Sequence, residues 1–424
     1  MDLKPPRGTE DLLPPASEAM RALYEAAARD ARLYGYTYVE SPSFEVTEVF
    51  ARTSGESSDI VRKEMYTFED RGGRLLTLRP EGTAGLVRAY LAKAHHLPVP
   101  FKVYTIGHMW RYGRPQAGRM REFRQFDIEI IGSAEPGADI EVIEVGDRYL
   151  HGLGLQGMTL ELNSIGDEVC RPAYRQELLE YLEANRERMR DEHREHFREN
   201  PMRVLDCKDE ACREVAVAAP KIADRLCGPC RTHFDMVLKG LADLDVDFML
   251  VPTLVRGLDY YTRTTFEWVS PMLSEGQASV GGGGRYDGLA EVLGGPATPG
   301  VGWAIGLDRI LIALAKEGSN VPGQPQLECF VVSFGEAAAE AAGRLTRSLH
   351  RAGISADAPL DRRPLGAQLK MADRSGAIFA LIIGEREAAS GTVTIKRLAD
   401  GHQDEVPADG AVEWIHSHVT ESSQ

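Results

Sequence analysis

The chain of 424 residues carries 49 Lys+Arg against 64 Asp+Glu, a formal net charge of −15. That length suits on the order of three domains, and the acidic balance excludes a general polyanion binder, which gathers basic residues over a whole face. The amino terminus, MDLKPPRGTEDLLPP, has neither the apolar core of a signal peptide nor the Arg/Ser-rich pattern of a transit peptide, and no apolar run approaches the roughly 18 residues of a membrane span. These features predict a cytoplasmic protein with no membrane partner. Its six cysteines, Cys170, Cys207, Cys212, Cys227, Cys230 and Cys329, are then expected to stay reduced.

Over 17–34, Met20, Leu23, Tyr24, Ala27 and Ala31 recur at helical spacing, with Ser17 as N-cap and Gly35 as terminator. An extended segment, YTYVESPSF, follows. Between 101 and 131 the pattern becomes two strand-like stretches, FKVYTIGHMWR and FRQFDIEII, around a loop with Gly113, Pro115 and Gly118. This predicts an antiparallel hairpin with a long basic loop, since residues 111–124 hold five arginines and one glutamate. Residues 171–200 are strongly charged with Leu178, Leu179 and Leu182 interspersed, which predicts a solvated helical segment rather than a core element. Residues 170–250 are accordingly assigned to a helical insertion between the two parts of one domain, 1–169 and 251–320. EGSNVPGQPQ is linker-like. Beyond it, 328–424 alternates strand and helix as a separate α/β unit, with a helix over 336–351 and an apolar strand, AIFALII, buried on both faces.

The second hairpin strand carries the most chemistry. Period-2 alternation puts Phe126, Ile128 and Ile130 on one face and Phe123, Gln125, Asp127 and Glu129 on the other. The polar row fits either the solvated side of an antiparallel sheet or the floor of a polar ligand site. Arg111 closes the first strand, and the loop beyond offers Arg114, Gln116, Arg119 and Arg121, whose guanidinium forks suit phosphate oxygens. Arg309 falls in the first turn of a predicted helix beginning around Leu307, after small residues at 300, 302 and 306. Four consecutive glycines, 281–284, remove side chains where backbone must come close to a ligand. Tyr286 breaks the GxGxxG spacing, so a dinucleotide fold is not supported. Glu81 stands in a tight Pro-Glu-Gly turn within RPEGT (79–83). Cys207, Cys212, Cys227 and Cys230 have C-x4-C and C-x2-C spacing, which fits a zinc ribbon or reduced thiols in a small helical core; no metal ligand is assigned from it.

An arginine ending one strand, a loop, then Arg119, Phe123 and Asp127 on the next strand resemble motif 2 of class II aminoacyl-tRNA synthetases. GVGWAIGLDRIL, with Arg309, resembles motif 3, and the helix and strand meeting Pro42 resemble motif 1, the family's dimer interface. LVRGLDYYTRTTFEW (254–268) and SVGGGGRYDGL (279–289) resemble the two signature peptides of histidyl-tRNA synthetases, and the resemblance spans nearly the whole chain. It implies an α+β fold: a class II synthetase-like antiparallel sheet flanked by helices, with a helical insertion and a C-terminal α/β anticodon-binding-like domain. It also implies a homodimer that takes ATP, with Mg²⁺, L-histidine and tRNA.

In residue terms the resemblance implies that Arg111 and Arg256 meet the α-phosphate, Arg309 the γ-phosphate, and that Phe123 stacks on adenine. Histidine falls to Glu81, Gly82, Thr83, Gln125, Glu129, Tyr260 and Tyr261, and the acceptor end of tRNA to Arg114, Gln116 and Arg119. Arg362, Arg363, Lys370 and Arg374 form a modest basic cluster in the tail, which fits either an anticodon contact or a solvated face. One departure stands out: family members usually have an acidic residue two places after the motif 2 arginine, and this chain has Gly113. TIGH (105–108) and KMADRS (370–375) imitate signatures of the other synthetase class and are read as chance, because the first lies within a strand and the second in the tail. The competing readings are the non-catalytic regulatory paralogue of ATP phosphoribosyltransferase and a class II synthetase for another amino acid. The paralogue is expected to lose the catalytic arginines and the tail, which this chain keeps.

Overall fold

The computed structural model describes residues 3–54, 60–207, 209–274, 277–319, 321–322 and 326–419. The chain divides into two compact units, Met1–Gly323 and Gln324–Gln424. The linker-like EGSNVPGQPQ lies partly outside the described residues.

In the first unit, strand β1 (Thr37–Tyr38) precedes a small antiparallel sheet of β2 (Phe44–Val46), β3 (Thr67–Glu69) and β4 (Leu75–Leu78). The long hairpin is β5 (Phe101–Trp110) and β6 (Glu122–Ile131), paired without interruption from Phe101–Ile131 to Trp110–Glu122. After β7 (Thr159–Ser164) comes a helical excursion, and the chain returns at β8 (Met249–Leu250). Strands β9 (Thr262–Val269), β10 (Ser279–Arg285) and β11 (Gly300–Gly306) complete an eight-stranded sheet, ordered β1-β5-β6-β11-β10-β9-β7-β8. Its pairs are antiparallel except β1 with β5 and β7 with β8.

One face of this sheet is apolar. Phe126, Ile128, Trp268 and Trp303 pack there against helices Ala16–Leu33, Pro136–Gly152 and Leu307–Glu317, and edge-to-face rings (Phe126–Trp303 at 4.9 Å, Trp268–Trp303 at 5.8 Å) fix their register. Helix Ala16–Leu33 sits one residue earlier than its pattern suggests. Pro15 occupies the N-cap position, no side chain caps the helix, and Ser17 lies inside the first turn. At the other end Gly35 takes φ +80°, a left-handed turn that suits glycine.

The excursion corrects the expectation of a solvated segment. Leu178 and Leu182 are fully buried, in a satellite core with Tyr174, Phe197, Val204, Cys212 and Val215. The charged face of helix Arg171–Ala184 is what its own sequence displays; the apolar stripe finds its partners in the segments from Met189 to Ile222, outside the helix and beyond the reach of local pattern. Helix Gly228–Asp243 belongs with the large sheet instead, through Phe234, Val237 and Leu241. Among the described residues, no helix is long and apolar enough to cross a membrane.

The second unit is a five-stranded sheet ordered β13-β12-β14-β15-β16, where β12 is Cys329–Ser333, β13 Ala356–Asp357, β14 Phe379–Ile383, β15 Thr392–Arg397 and β16 Gln403–Pro407. The apolar strand β14 is central. Phe379, Leu381 and Ile383 enter one core and Ala380 the other, so both faces are covered as expected.

A fully buried ion cluster holds the rim of the main sheet. Arg285, at the end of β10, pairs with Asp139 on helix Pro136–Gly152 and donates to the carbonyls of Ser133 (2.8 Å) and Glu135 (3.1 Å). His233 reaches the same carboxylate at 3.2 Å. Removing Asp139 leaves the fully buried Arg285 with only the partly exposed Asp287, at 3.1 Å, as its acid partner among the described residues. Asp139→Ala is therefore expected to destabilise the first unit by about 3–5 kcal/mol, read from urea unfolding; a change within experimental error would show that the cluster is not a structural anchor.

Candidate active site

The polar face of the sheet floors a cavity of about 590 Å³ that gathers residues far apart in sequence: Glu81 and Thr83, Arg111, Arg119, Phe123, Gln125, Arg256, Tyr260, Tyr261 and Arg309. With Arg124, which also lines it, five arginines share one basin. Arg111 stands at the end of β5, where its Nε donates to Pro80 O at 2.8 Å and its cation lies 5.3 Å from the Phe123 ring. Arg309, from the first turn of helix Leu307–Glu317, donates to Gly118 O (2.9 Å) and Ser279 O (2.6 Å). Both are oriented by carbonyls, which hold a cation without neutralising it. Burial lowers the pKa of each, and at Arg309 the neighbouring Arg111 cation lowers it further.

Two further guanidiniums have carboxylate partners. Arg256 donates to Glu267 Oε1 at 2.7 Å, and although burial opposes its charge, that carboxylate raises its pKa. Arg119 pairs with Glu64, whose backbone carbonyl also accepts from Tyr112 N at 2.7 Å. This bears on the departure at Gly113. A Cβ at 113 would stand 3.0 Å from Arg119 Nε, so the glycine leaves space for the guanidinium, and the acid that meets it comes from Glu64.

The remaining arginines of the island have other duties. Arg124 binds Asp308 at 2.6 Å and ties the start of β6 to the helix carrying Arg309, and Arg121 lies over the Tyr112 ring at 3.9 Å. Arg114 and Gln116 are exposed on the loop and do not line the cavity.

At the other end of the basin, Glu81 accepts from the backbone N–H of Thr83 (2.8 Å) and Ala84 (2.9 Å), capping helix Thr83–Lys93. The turn reading and the site reading of Glu81 both hold, since the capped carboxylate still lines the cavity. Tyr260 and Tyr261 form a wall with ring centroids 4.6 Å apart. Gln125 lines the cavity, and its buried Oε1 has no hydrogen-bond partner among the described residues. Gly82 and Glu129 are not on the cavity wall. Gly82 packs on Asp127, where a Cβ would fall 2.0 Å from Oδ2. Glu129 lies beneath, fully buried, accepting from the hydroxyls of Thr83 (2.6 Å) and Tyr286 (2.5 Å).

Burial pushes the Glu129 and Asp127 carboxyls well above the usual carboxylate range; nearby carboxylates push both further, while the two hydroxyls oppose the shift at Glu129.

The glycine run gives room chiefly to the backbones of the two neighbouring strands, and at Gly282 and Gly284 also to the Arg256 and Tyr261 side chains. A Cβ at Gly282 would meet Arg256 Nη1 at 2.9 Å and Phe266 O at 2.5 Å, so this strand must be bare for Arg256 to lie across it. Glu64, Glu267 and Tyr286 are not placed at the site by their sequence context: Tyr286 stands out there only as the residue that breaks the GxGxxG spacing, and no local signal marks Glu64 or Glu267 as an arginine partner. The four spaced cysteines do not converge: Cys207 and Cys212 group with His193, and Cys227 and Cys230 group with Asp167 and Cys170. TIGH lies inside β5 and KMADRS largely in helix Leu365–Arg374, as expected of chance matches. In the tail cluster, Arg362 pairs with Glu336 (3.4 Å) and Arg363 with Asp361 (2.8 Å), all of them exposed.

A raised carboxyl pKa in the fold binds protons that the unfolded chain has released, so its stabilising share is full below the unfolded value and is lost as pH rises. Glu129→Gln removes that loss. Between pH 5 and 8 the unfolding free energy of the variant, read from urea titrations, should therefore fall less steeply than that of the parent; parallel curves would mean that Glu129 ionises normally.

A family profile described as histidyl-tRNA synthetase matches residues 8–310, and one described as anticodon binding domain matches 328–418. A relative named histidine–tRNA ligase from Natranaerobius thermophilus is 47% identical over 414 residues, covering 97% of this chain and 98% of its own length. One of the same name from Pelotomaculum thermopropionicum is 46% identical over 420 residues, 99% of each chain. The crystal structure of apo Staphylococcus aureus histidyl-tRNA synthetase superposes with a TM-score of 0.79 at 34% identity, covering 97% of this chain and 99% of that one.

Proposed function

This chain belongs to the histidyl-tRNA synthetase family and charges tRNA with histidine at the expense of ATP, and on that premise we propose how its cavity divides the work. In the first step the histidine carboxylate attacks the α-phosphate and pyrophosphate leaves. No enzyme nucleophile is needed, so catalysis is alignment and charge stabilisation. Arg111 and Arg309, whose hydrogen bonds go to carbonyls rather than carboxylates, offer their charge to substrate: Arg111 to the α-phosphate and Arg309 to the departing pyrophosphate. Arg256, tethered by Glu267, is the more rigid of the α-phosphate ligands. Phe123, braced by Arg111, supports adenine.

Histidine occupies the end with Glu81, Thr83, Gln125, Tyr260 and Tyr261. Its ammonium faces Glu81, and the orphaned Gln125 Oε1 accepts from substrate. Gly82 and Glu129 act from beneath, through Asp127 and Thr83, rather than by contact. A residue-level reading also includes Mg²⁺: Glu161 and Glu267 are opposite partners on β7 and β9, both facing the cavity, and this carboxylate pair suits a hard cation shared with phosphates. When bound, it would screen phosphate charge. Arg114, Gln116 and Arg119 meet the acceptor end of tRNA, with Arg119 released from Glu64 to do so. The homodimer is supported by apolar side chains left open around the motif 1 segment, Tyr38, Phe44, Val46, Phe68 and Leu75, each 42–55% exposed. A cytoplasmic location completes the reading.

The convergence of Arg111, Arg119, Arg256 and Arg309, with Arg124 beside them, on one basin carries this proposal. Its test is exchange of labelled pyrophosphate into ATP, with each amino acid in turn and no tRNA. Exchange with histidine alone is expected, and Arg256→Ala should slow it by about 10²-fold or more with a smaller effect on histidine binding. Arg119→Ala should weaken tRNA charging more than exchange; equal loss of both steps would contradict the role given to the loop.

A further inference from the structure

A second cluster of ligand-type side chains lies at the root of the helical excursion. Asp167 and Cys170 stand where the chain leaves β7, and Cys227 and Cys230 stand where it returns as helix Gly228–Asp243. One carboxylate oxygen and three Sγ atoms all lie within 4.8 Å of one another, and all three cysteines are free thiols. We propose that Asp167, Cys170, Cys227 and Cys230 bind one zinc ion that clamps the two ends of the excursion together.

The donor set is the first argument. Three thiolates and a carboxylate make four ligands, the closed tetrahedral complement of a structural zinc site, and sulfur disfavours magnesium or calcium. A tetrahedron with Zn–S bonds of about 2.3 Å has edges of about 3.8 Å, so a contraction of about 1 Å at most closes the site. Spacing agrees, because each half supplies two ligands separated by two residues, D-x2-C and C-x2-C.

The atoms are also aimed inward. Cys170 Sγ and Cys227 Sγ stand 3.3 and 3.9 Å from Asp167 Oδ1, and Cys227 N donates to Cys170 Sγ at 3.1 Å. Such an N–H to sulfur bond stabilises a thiolate ligand. Arg263 approaches Asp167 Oδ2 at 3.6 Å, orienting the carboxylate and offsetting the negative charge of the ligand set. Zinc displaces the three thiol protons on binding, so acid releases it.

The clamp has a mechanical consequence for the cavity. Arg171 follows Cys170 directly; it donates to Ile165 O at 3.1 Å and to the carbonyl of Tyr261, one of the two tyrosines of the histidine end. Fixing Cys170 therefore fixes a support of that wall. The other cysteine pair, Cys207 and Cys212 with His193, offers three donors and serves as the internal control.

The test is metal analysis of the full-length chain, purified from zinc-supplemented culture without chelator, beside cobalt(II) reconstitution of the stripped protein. The parent should carry on the order of one zinc per chain. Cys227→Ser should reduce retention by at least tenfold and Cys212→Ser should leave it unchanged. Asp167→Cys keeps four ligands, so it should stay folded, retain metal and strengthen the sulfur-to-cobalt charge-transfer band. A parent that holds no zinc and takes up no cobalt overturns the proposal, as do iron in its place or a loss of metal on Cys212→Ser but not on Cys227→Ser. An Asp167→Cys spectrum identical to that of the parent would remove Asp167 from the ligand set and with it the proposal as stated.

Discussion

Concentrating cations in a half-buried basin is the constraint around which the first unit is arranged. Each guanidinium loses hydration and repels the others, yet a phosphate site loses its purpose if every charge is neutralised. The chain solves this by dividing the partners. Arg111 and Arg309 lean on carbonyl oxygens, whereas Arg256 and Arg119 lean on Glu267 and Glu64. Two arginines thus have no direct carboxylate bond to break when a polyanion arrives, and two are kept in place by such a bond.

That division needs a bare strand and a firm rim. Gly282 opens the path across which Arg256 reaches Glu267, and Arg285, three residues later, anchors the same strand through Asp139 and His233. Beneath the basin, Asp127 and Glu129 are fully buried, and burial pushes both carboxyls well above the usual carboxylate range.

The helical excursion carries a small core of its own on a firm base. Its satellite core, centred on Tyr174, Leu178, Leu182 and Val215, is small, and both of its chain ends enter the large sheet. A closed loop of this kind gains from a tie at its base, because closure removes entropy from the unfolded chain. The four donors at 167, 170, 227 and 230 stand at that base.

The sequence by itself determined the elements whose signals are local: the β5–β6 hairpin, the helix beginning at Leu307, the doubly buried strand β14, and the arginines at 111 and 309, whereas Arg256 comes only through the family resemblance. Alternation, turn residues and motif spacing report on neighbours along the chain, and those neighbours suffice for such features. Tertiary structure alone decided who partners whom. Glu64 meets Arg119 across 55 residues, Tyr286 meets Glu129 across 157, and the cysteines regroup away from their sequence pairs. It also decided that Leu178 and Leu182 are core, and that Glu129 lies beneath the cavity rather than on its wall. The physical reason is common to all of these: burial, desolvation and long-range pairing depend on which surfaces the folded sheet brings together, and a local pattern carries no record of that.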